Sequence, residues 1–148
     1  ENINSIAHAH PMYGKTFSTL GKTLDPISQD SCAFYERTAL FADYDGVANG
    51  PDEGINIAKA LGDKDFVILQ NHGILTTGTM VDTTIWYFLN MEDACKSQLL
   101  AEAVGKPIVI PHETACATRD YVANDLSAYV SFQPTVDVLW EEEPDLLD

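Results

Sequence analysis

Phe66-Val67-Ile68-Leu69-Gln70-Asn71-His72-Gly73-Ile74-Leu75-Thr76-Thr77 joins an unbroken apolar run to a second extended segment through a short polar bend. Four consecutive apolar residues suit a central strand covered on both faces, because a strand with one wet face would alternate. Gly73 allows a tight bend and Gly78 ends the second segment, so Ile74 to Thr77 is read as a strand returning alongside the first. The bend delivers His72 to a strand end.

Upstream, Ile3-Asn4-Ser5-Ile6-Ala7-His8-Ala9-His10 reads as a first strand over residues 3–9. Side chains alternate along a strand, so His8, His10 and Ile6 share one face and Ala9 points to the other. Two imidazoles on one face can share a metal ion, although two histidines so placed are commonly no more than surface or hydrogen-bonded residues. A third imidazole from a neighbouring strand would give three nitrogen ligands with a position left for water or substrate, the catalytic rather than the structural arrangement.

The rest of the chain alternates strand and helix. Pro11 to Leu24 is a loop or short helix, Asp30 to Arg37 a helical turn, and Thr38 to Tyr44 an edge strand leading into a turn at Asp45-Gly46. Pro51-Asp52-Glu53 opens a short helix on which Ile55, Ala58 and Leu61 recur before Gly62 stops it. A long helix runs from Val81 to about Ala103 with Ile85, Phe88, Leu89, Cys95 and Leu99 as its stripe, interrupted by Glu92. Trp86, Tyr87 and Phe88 are consecutive on that helix and cannot all face one core. Val109-Ile110 is extended, and Pro111 to Tyr129 is a last helix with Ala115, Val122 and Leu126 inward. Residues 141–148 form an acidic, solvated tail. Strands alternating with helices over 148 residues point to a single layered α/β domain.

Composition narrows the partners. A formal charge of -15 repels phosphate backbones and anionic lipid surfaces, which excludes nucleic acid and membrane as expected ligands. No apolar stretch approaches the roughly 20 residues that span a bilayer. Cys32, Cys95 and Cys116 are odd in number and widely spaced, a usage that fits a reducing compartment, with the cytoplasm as the expected location. Asp30 and Glu36 carry carboxylates in a helical turn, where a solvated face is the ordinary reading. His112 follows Pro111 at a helix start and is read as a solvent-facing or capping residue.

Ala7-His8-Ala9-His10, the Asp45-Gly46 turn, Gln70-Asn71-His72-Gly73-Ile74-Leu75-Thr76 and the long helix that follows resemble the class II aldolase/adducin family, whose fold is shared by L-fuculose-phosphate aldolase and L-ribulose-phosphate 4-epimerase. The resemblance covers nearly the whole chain and rests on H-x-H and N-H-G occurring together in that order. It implies a three-layer α/β/α sandwich around a mostly antiparallel sheet, assembled as a homotetramer with active sites at subunit boundaries. It also implies that His8, His10 and His72 are metal ligands, with Zn2+ the usual ion and Fe2+, Mn2+ or Co2+ compatible with the same imidazoles. The ion would polarise substrate oxygens so that charge developing as a carbon-carbon bond breaks is stabilised as an enediolate.

Family enzymes carry a segment ahead of the H-x-H strand that holds the phosphate loop and an acidic acid/base residue; the resemblance therefore implies a chain truncated at its N-terminus. Tyrosines reach family active sites from a neighbouring subunit, and Tyr13 and Tyr129 are the candidates by position. The function so implied is a divalent-metal-dependent lyase acting on a small hydroxylated carbonyl compound, by aldol cleavage or a related decarboxylation. Two alternatives stand beside it: an adducin-like binding module, against which the retained histidines argue, and iron-dependent oxygenase or decarboxylase chemistry at the same ligands.

Overall fold

Four strands form one sheet in the computed structural model, which describes residues 3–43, 46 and 51–147. They are β1 (Ser5–Ala9), β2 (Thr38–Phe41), β3 (Phe66–Leu69) and β4 (Gly73–Gly78), in the spatial order β1-β4-β3-β2. β1 pairs antiparallel with β4, and β4 with β3, whereas β2 lies parallel to β3. The sheet is thus mixed, mostly antiparallel with one parallel edge pair. A parallel pair needs a crossover, and α2 (Pro51–Leu61) supplies it between β2 and β3.

All four residues of β3 are buried, as its unbroken apolar run requires. Phe66 and Ile68 pack with Phe17, Phe34, Tyr87 and Met91 on one face; Val67 and Leu69 pack with Phe41 and Leu61 on the other. Burying such side chains stabilises the fold by about 2 kcal/mol each. The first face carries α1 (Met12–Ser18) and α3 (Val81–Val104), and α5 (Asp125–Glu142) packs on α3. The second face carries α2 against β2 and β3. These are the three layers of an α/β/α sandwich.

Several boundaries differ from the sequence reading. β2 stops at Phe41 rather than Tyr44, and the turn expected at Asp45-Gly46 falls on Asp45, outside the described residues. On α2 the inward residues are Ile57, Ala60 and Leu61, while Ile55 is exposed. On α3 the buried face is rotated to Thr83, Thr84, Tyr87, Met91, Ala94, Cys95 and Gln98, leaving Leu89 exposed. Polar residues can lie inward there because their groups are satisfied: the hydroxyls of Thr83 and Thr84 donate to the Met80 carbonyl, and the Gln98 amide donates to Asp25 and Glu102. Of the three consecutive aromatics, Tyr87 is buried and Trp86 and Phe88 sit partly buried against the core.

The single helix expected over 111–129 is two. α4 (His112–Val122) ends before Asn124, whose side-chain oxygen accepts the Ser127 backbone N–H at 3.0 Å and starts α5. Ala115 is fully buried and Val122 packs on the core as expected, but Leu126 falls in the first exposed turn of α5. Glu141 and Glu142 close α5, a 3-10 turn follows at Pro144–Leu147, and residues 141–146 are exposed. Ile110 bonds through its backbone N–H to Pro26 outside the sheet. No helix among the described residues is long and apolar enough to cross a membrane.

Candidate metal centre

The alternation along β1 sorts its side chains as the sequence requires. Ser5 points toward α3, where its hydroxyl meets that of Thr84, so Ala7 and Ala9 share that side. Ile6, His8 and His10 point to the opposite side, the one on which α2 covers β2 and β3; Ile6 is 64% exposed. In the ladder His8 stands opposite Leu75 and Ala9 opposite Ile74, so His10 lies level with the bend between β3 and β4.

That bend is a three-residue hairpin loop, Gln70 to His72, closed by the Leu69–Gly73 pair. Asn71 takes φ 58°, a left-handed conformation that asparagine tolerates better than most residues. The His72 N–H then donates to the Leu69 carbonyl at 3.0 Å, turning the chain so that its imidazole comes alongside those of β1. Gly73 gives clearance: a Cβ there would stand 2.5 Å from the Ala9 carbonyl oxygen and 3.1 Å from His10 Cδ2. The N-H-G motif is therefore a conformation, a ligand-type side chain and a close approach, one per residue.

The three rings converge. Their centroids are 5.1 Å apart for His8 and His10, 5.0 Å for His8 and His72, and 4.5 Å for His10 and His72. Three imidazoles holding one tetrahedral ion at zinc–nitrogen distances would place their centroids about 5 Å apart. Ligand nitrogens of all three lie within 4.8 Å of one another. His8 Nδ1 is 2.9 Å from the Ile74 carbonyl, which can only accept; the N–H is therefore on Nδ1, and Nε2 carries the lone pair a cation needs. Burial, then the neighbouring His10 and His8, hold the His72 imidazole below its ordinary pKa and so favour its neutral, ligating form. The opposing influence is Glu53 in the first turn of α2, a carboxylate near the rings that the sequence reading took only as a helix-start residue.

The two tyrosines are placed elsewhere. Tyr13 lies in the first turn of α1, packed against the core with Lys96 Nζ 5.3 Å from its ring centroid. Its backbone N–H and that of Gly14 donate to Glu92 of α3 at 2.8 and 2.5 Å. Tyr129 is on α5, which is tied to the other end of the sheet by Thr79 to Asp125 and Asp82 to Gln133. Asp30 opens the short 3-10 turn Asp30–Phe34, and Glu36 just beyond it pairs with Arg119 at 3.1 Å. His112 is exposed, as expected, but has the Tyr35 hydroxyl 3.2 Å from Nδ1.

Residues 1–99 match the family described as the Class II Aldolase and Adducin N-terminal domain. The chain is 36% identical over 145 residues to "Decarboxylase NovR" of Streptomyces niveus, covering 98% of this chain and 54% of that protein. It is 35% identical over 145 residues to the "4-hydroxy-3-prenylphenylpyruvate oxygenase/4-hydroxy-3-prenylbenzoate synthase" of Streptomyces roseochromogenus subsp. oscitans, covering 98% and 52%. Among solved structures, the L-fuculose 1-phosphate aldolase from Glaciozyma antarctica PI12 superposes with a TM-score of 0.88 at 38% identity, over 97% of this chain and 54% of that one. The chain thus spans about half the length of these relatives.

Proposed function

The chain belongs to the class II aldolase and adducin family, and on that premise we propose that it carries the metal-binding residues of a divalent-metal-dependent lyase. The substrate class is a small hydroxylated carbonyl compound, and the reaction makes or breaks a bond to a carbon beside the carbonyl. The observation that carries the reading is the convergence of the His8, His10 and His72 rings at spacings that suit one ion.

A divalent ion bound there would stabilise negative charge developing on substrate oxygens. The chain's own residues do the placing. His8 is held by its bond to the Ile74 carbonyl, so one ring is fixed in tautomer and direction before any ion arrives. The ladder pairing of β1 with β4 sets the spacing of the β1 imidazoles from the hairpin bend, and Gly73 lets the two backbones approach. Among the described residues Ile6, on the same face as His8 and His10, is 64% exposed, which leaves a route for a substrate oxygen. Zinc is the first ion to test, with iron, manganese and cobalt as the others that imidazole suits. Tyr129, at the far end of the sheet, can serve such a site only in another copy of the chain, which fits a homotetramer with boundary active sites; Tyr13 is the second phenol to test.

A second reading, decarboxylase or iron-dependent oxygenase chemistry at the same imidazoles, is favoured by the names of the two Streptomyces relatives. A purely adducin-like binding role is disfavoured by the retained three-histidine cluster. The test is elemental analysis of the purified protein and of His72→Ala. The parent should hold one ion per three-histidine site, and the variant should lose it while keeping its circular dichroism, because two imidazoles bind weakly. A variant as metal-loaded at this site as the parent would overturn the ligand assignment. Aldehyde release from hydroxylated carbonyl substrates supports the aldol reading, whereas carbon dioxide release or oxygen uptake supports the second.

A further inference from the structure

We propose that Glu36, His112 and Cys116 form a second, thiolate-containing site for a zinc-class divalent ion, which clamps α4 onto the corner before β2. The cluster is separate from the three histidines and comes from two elements. His112 and Cys116 are four residues apart on one face of α4, and Glu36 follows the 3-10 turn Asp30–Phe34.

The distances are those of a coordination polyhedron. Cys116 Sγ is 3.6 Å from Glu36 Oε2 and 3.7 Å from His112 Nδ1, and that nitrogen is 3.8 Å from Glu36 Oε1. A tetrahedral zinc ion with bonds of about 2.3 Å to sulfur and about 2.0 Å to nitrogen and oxygen has ligand–ligand edges of about 3.5 Å. Movements of a few tenths of an ångström by partly exposed side chains would therefore close the site. Thiolate, imidazole and carboxylate together are a zinc-type donor set, softer than calcium or magnesium prefers.

The surroundings orient the donors. Glu36 Oε2, the oxygen nearest Cys116 Sγ, also accepts from Arg119 Nη1 at 3.1 Å, so the carboxylate is oriented by an outer partner, with Oε1 on the His112 side as its ligand atom. Arg119 also donates to Asp120 at 2.8 Å and to the Tyr35 carbonyl at 3.5 Å. The Tyr35 hydroxyl at His112 Nδ1 is the hydrogen bond that an ion at that nitrogen would replace. Glu36 and His112 are exposed and Cys116 is half-buried, so an ion can enter and water can complete its shell. The clamp also has something to hold: Ala115 is the fully buried residue of α4, and α4 rests chiefly on the 3-10 turn.

Cobalt(II) titration of the intact protein tests this without interference from the three-histidine site, which contains no sulfur. Thiolate-to-cobalt charge transfer in the near ultraviolet should appear in the parent and persist in His72→Ala, and should vanish in Cys116→Ser. Glu36→Gln and His112→Ala should weaken cobalt binding at least tenfold. In the unmodified protein, zinc should also slow alkylation of Cys116 severalfold, read by mass spectrometry, which needs no variant to fold. Absence of the charge-transfer band, its survival in Cys116→Ser, or an alkylation rate indifferent to zinc would each overturn the proposal. Loss of the band in His72→Ala alone would tie the signal to the other site and overturn it equally. Metal lost in His72→Ala with the thiolate band intact confirms both sites as separate.

Discussion

Gly73→Ala tests whether the close approach of β1 to the hairpin bend is what assembles the three imidazoles. Gly73 sits in extended backbone of β4, so the effect of a methyl group is steric rather than conformational. The added Cβ would stand 2.5 Å from the Ala9 carbonyl oxygen, against ordinary contacts beginning near 3.4 Å, so β1 and β4 must part by about 0.9 Å. It would also stand 3.1 Å from His10 Cδ2, so the ring itself is pushed. Overpacking of this kind costs about 1–3 kcal/mol. Ligand distances at a metal site tolerate only about 0.2 Å, so zinc affinity should fall at least tenfold. Urea unfolding of the metal-free protein reads the first effect, and competition with a chromophoric chelator reads the second. Gly105→Ala is the control, since a Cβ there meets nothing within 4 Å. A Gly73→Ala protein with parental midpoint and parental zinc affinity would refute the role given to this glycine.

Other expectations are independent of the metal. Glu92→Ala removes the acceptor of the Tyr13 and Gly14 N–H groups and should cost about 2–3 kcal/mol in urea unfolding, with Glu92→Gln costing less. Gly54 lies within α2 with open space where a Cβ would go, so Gly54→Ala should stabilise by about 0.5–1 kcal/mol through helix propensity. The Lys22 ammonium, then the Gln98 amide, hold the Glu102 carboxyl below its ordinary pKa. A carboxyl that is more acidic folded than unfolded gives stability that is present above its unfolded value and lost as pH falls through the folded value. Glu102→Gln should therefore flatten the acid limb of a stability–pH curve without changing its neutral shape.

The sheet was legible in the sequence because its signals are local. An unbroken apolar tetrapeptide, two glycines around an extended segment and a histidine pair at period two each state a strand or its end, and β1, β3 and β4 lie within one or two residues of those readings. The convergence of the histidines was legible for the same reason: three imidazoles at strand ends come together once the strands pair. Helix faces were less legible. On α3 the apolar stripe points to Leu89, yet Thr83, Thr84 and Gln98 take buried positions because backbone and side-chain acceptors await them, and no apolar count anticipates that. Glu92, which interrupts the stripe, does so because it caps α1 across the helix pair. The break before α5 had a readable signal in Asn124-Asp125-Leu126-Ser127, a capping sequence outweighed by the continuous apolar spacing around it. Glu36, His112 and Cys116 were individually visible, but 80 residues separate Glu36 from Cys116, and only the packing of α4 brings them together.

The placement of the three imidazoles also constrains how specificity can arise. His8, His10 and His72 are fixed by main-chain pairing and a hairpin bend, features that any member of the fold can keep while its reaction changes. α2 covers β2 and β3, and Ile6, two residues from His8 on the same face, is 64% exposed, so the described residues wall the site on one side only. On the Ile6 side the described residues present the exposed imidazoles of His8 and His10. Relatives named as an aldolase and as a decarboxylase match this chain at similar identity, 38% and 36%. Ile6 is the residue on this face at which access to the imidazoles can be tested. That makes Ile6→Asp informative: a carboxylate on this face should lower affinity for anionic substrates while leaving zinc bound. Equal loss for anionic and neutral substrates would show that access does not run past Ile6.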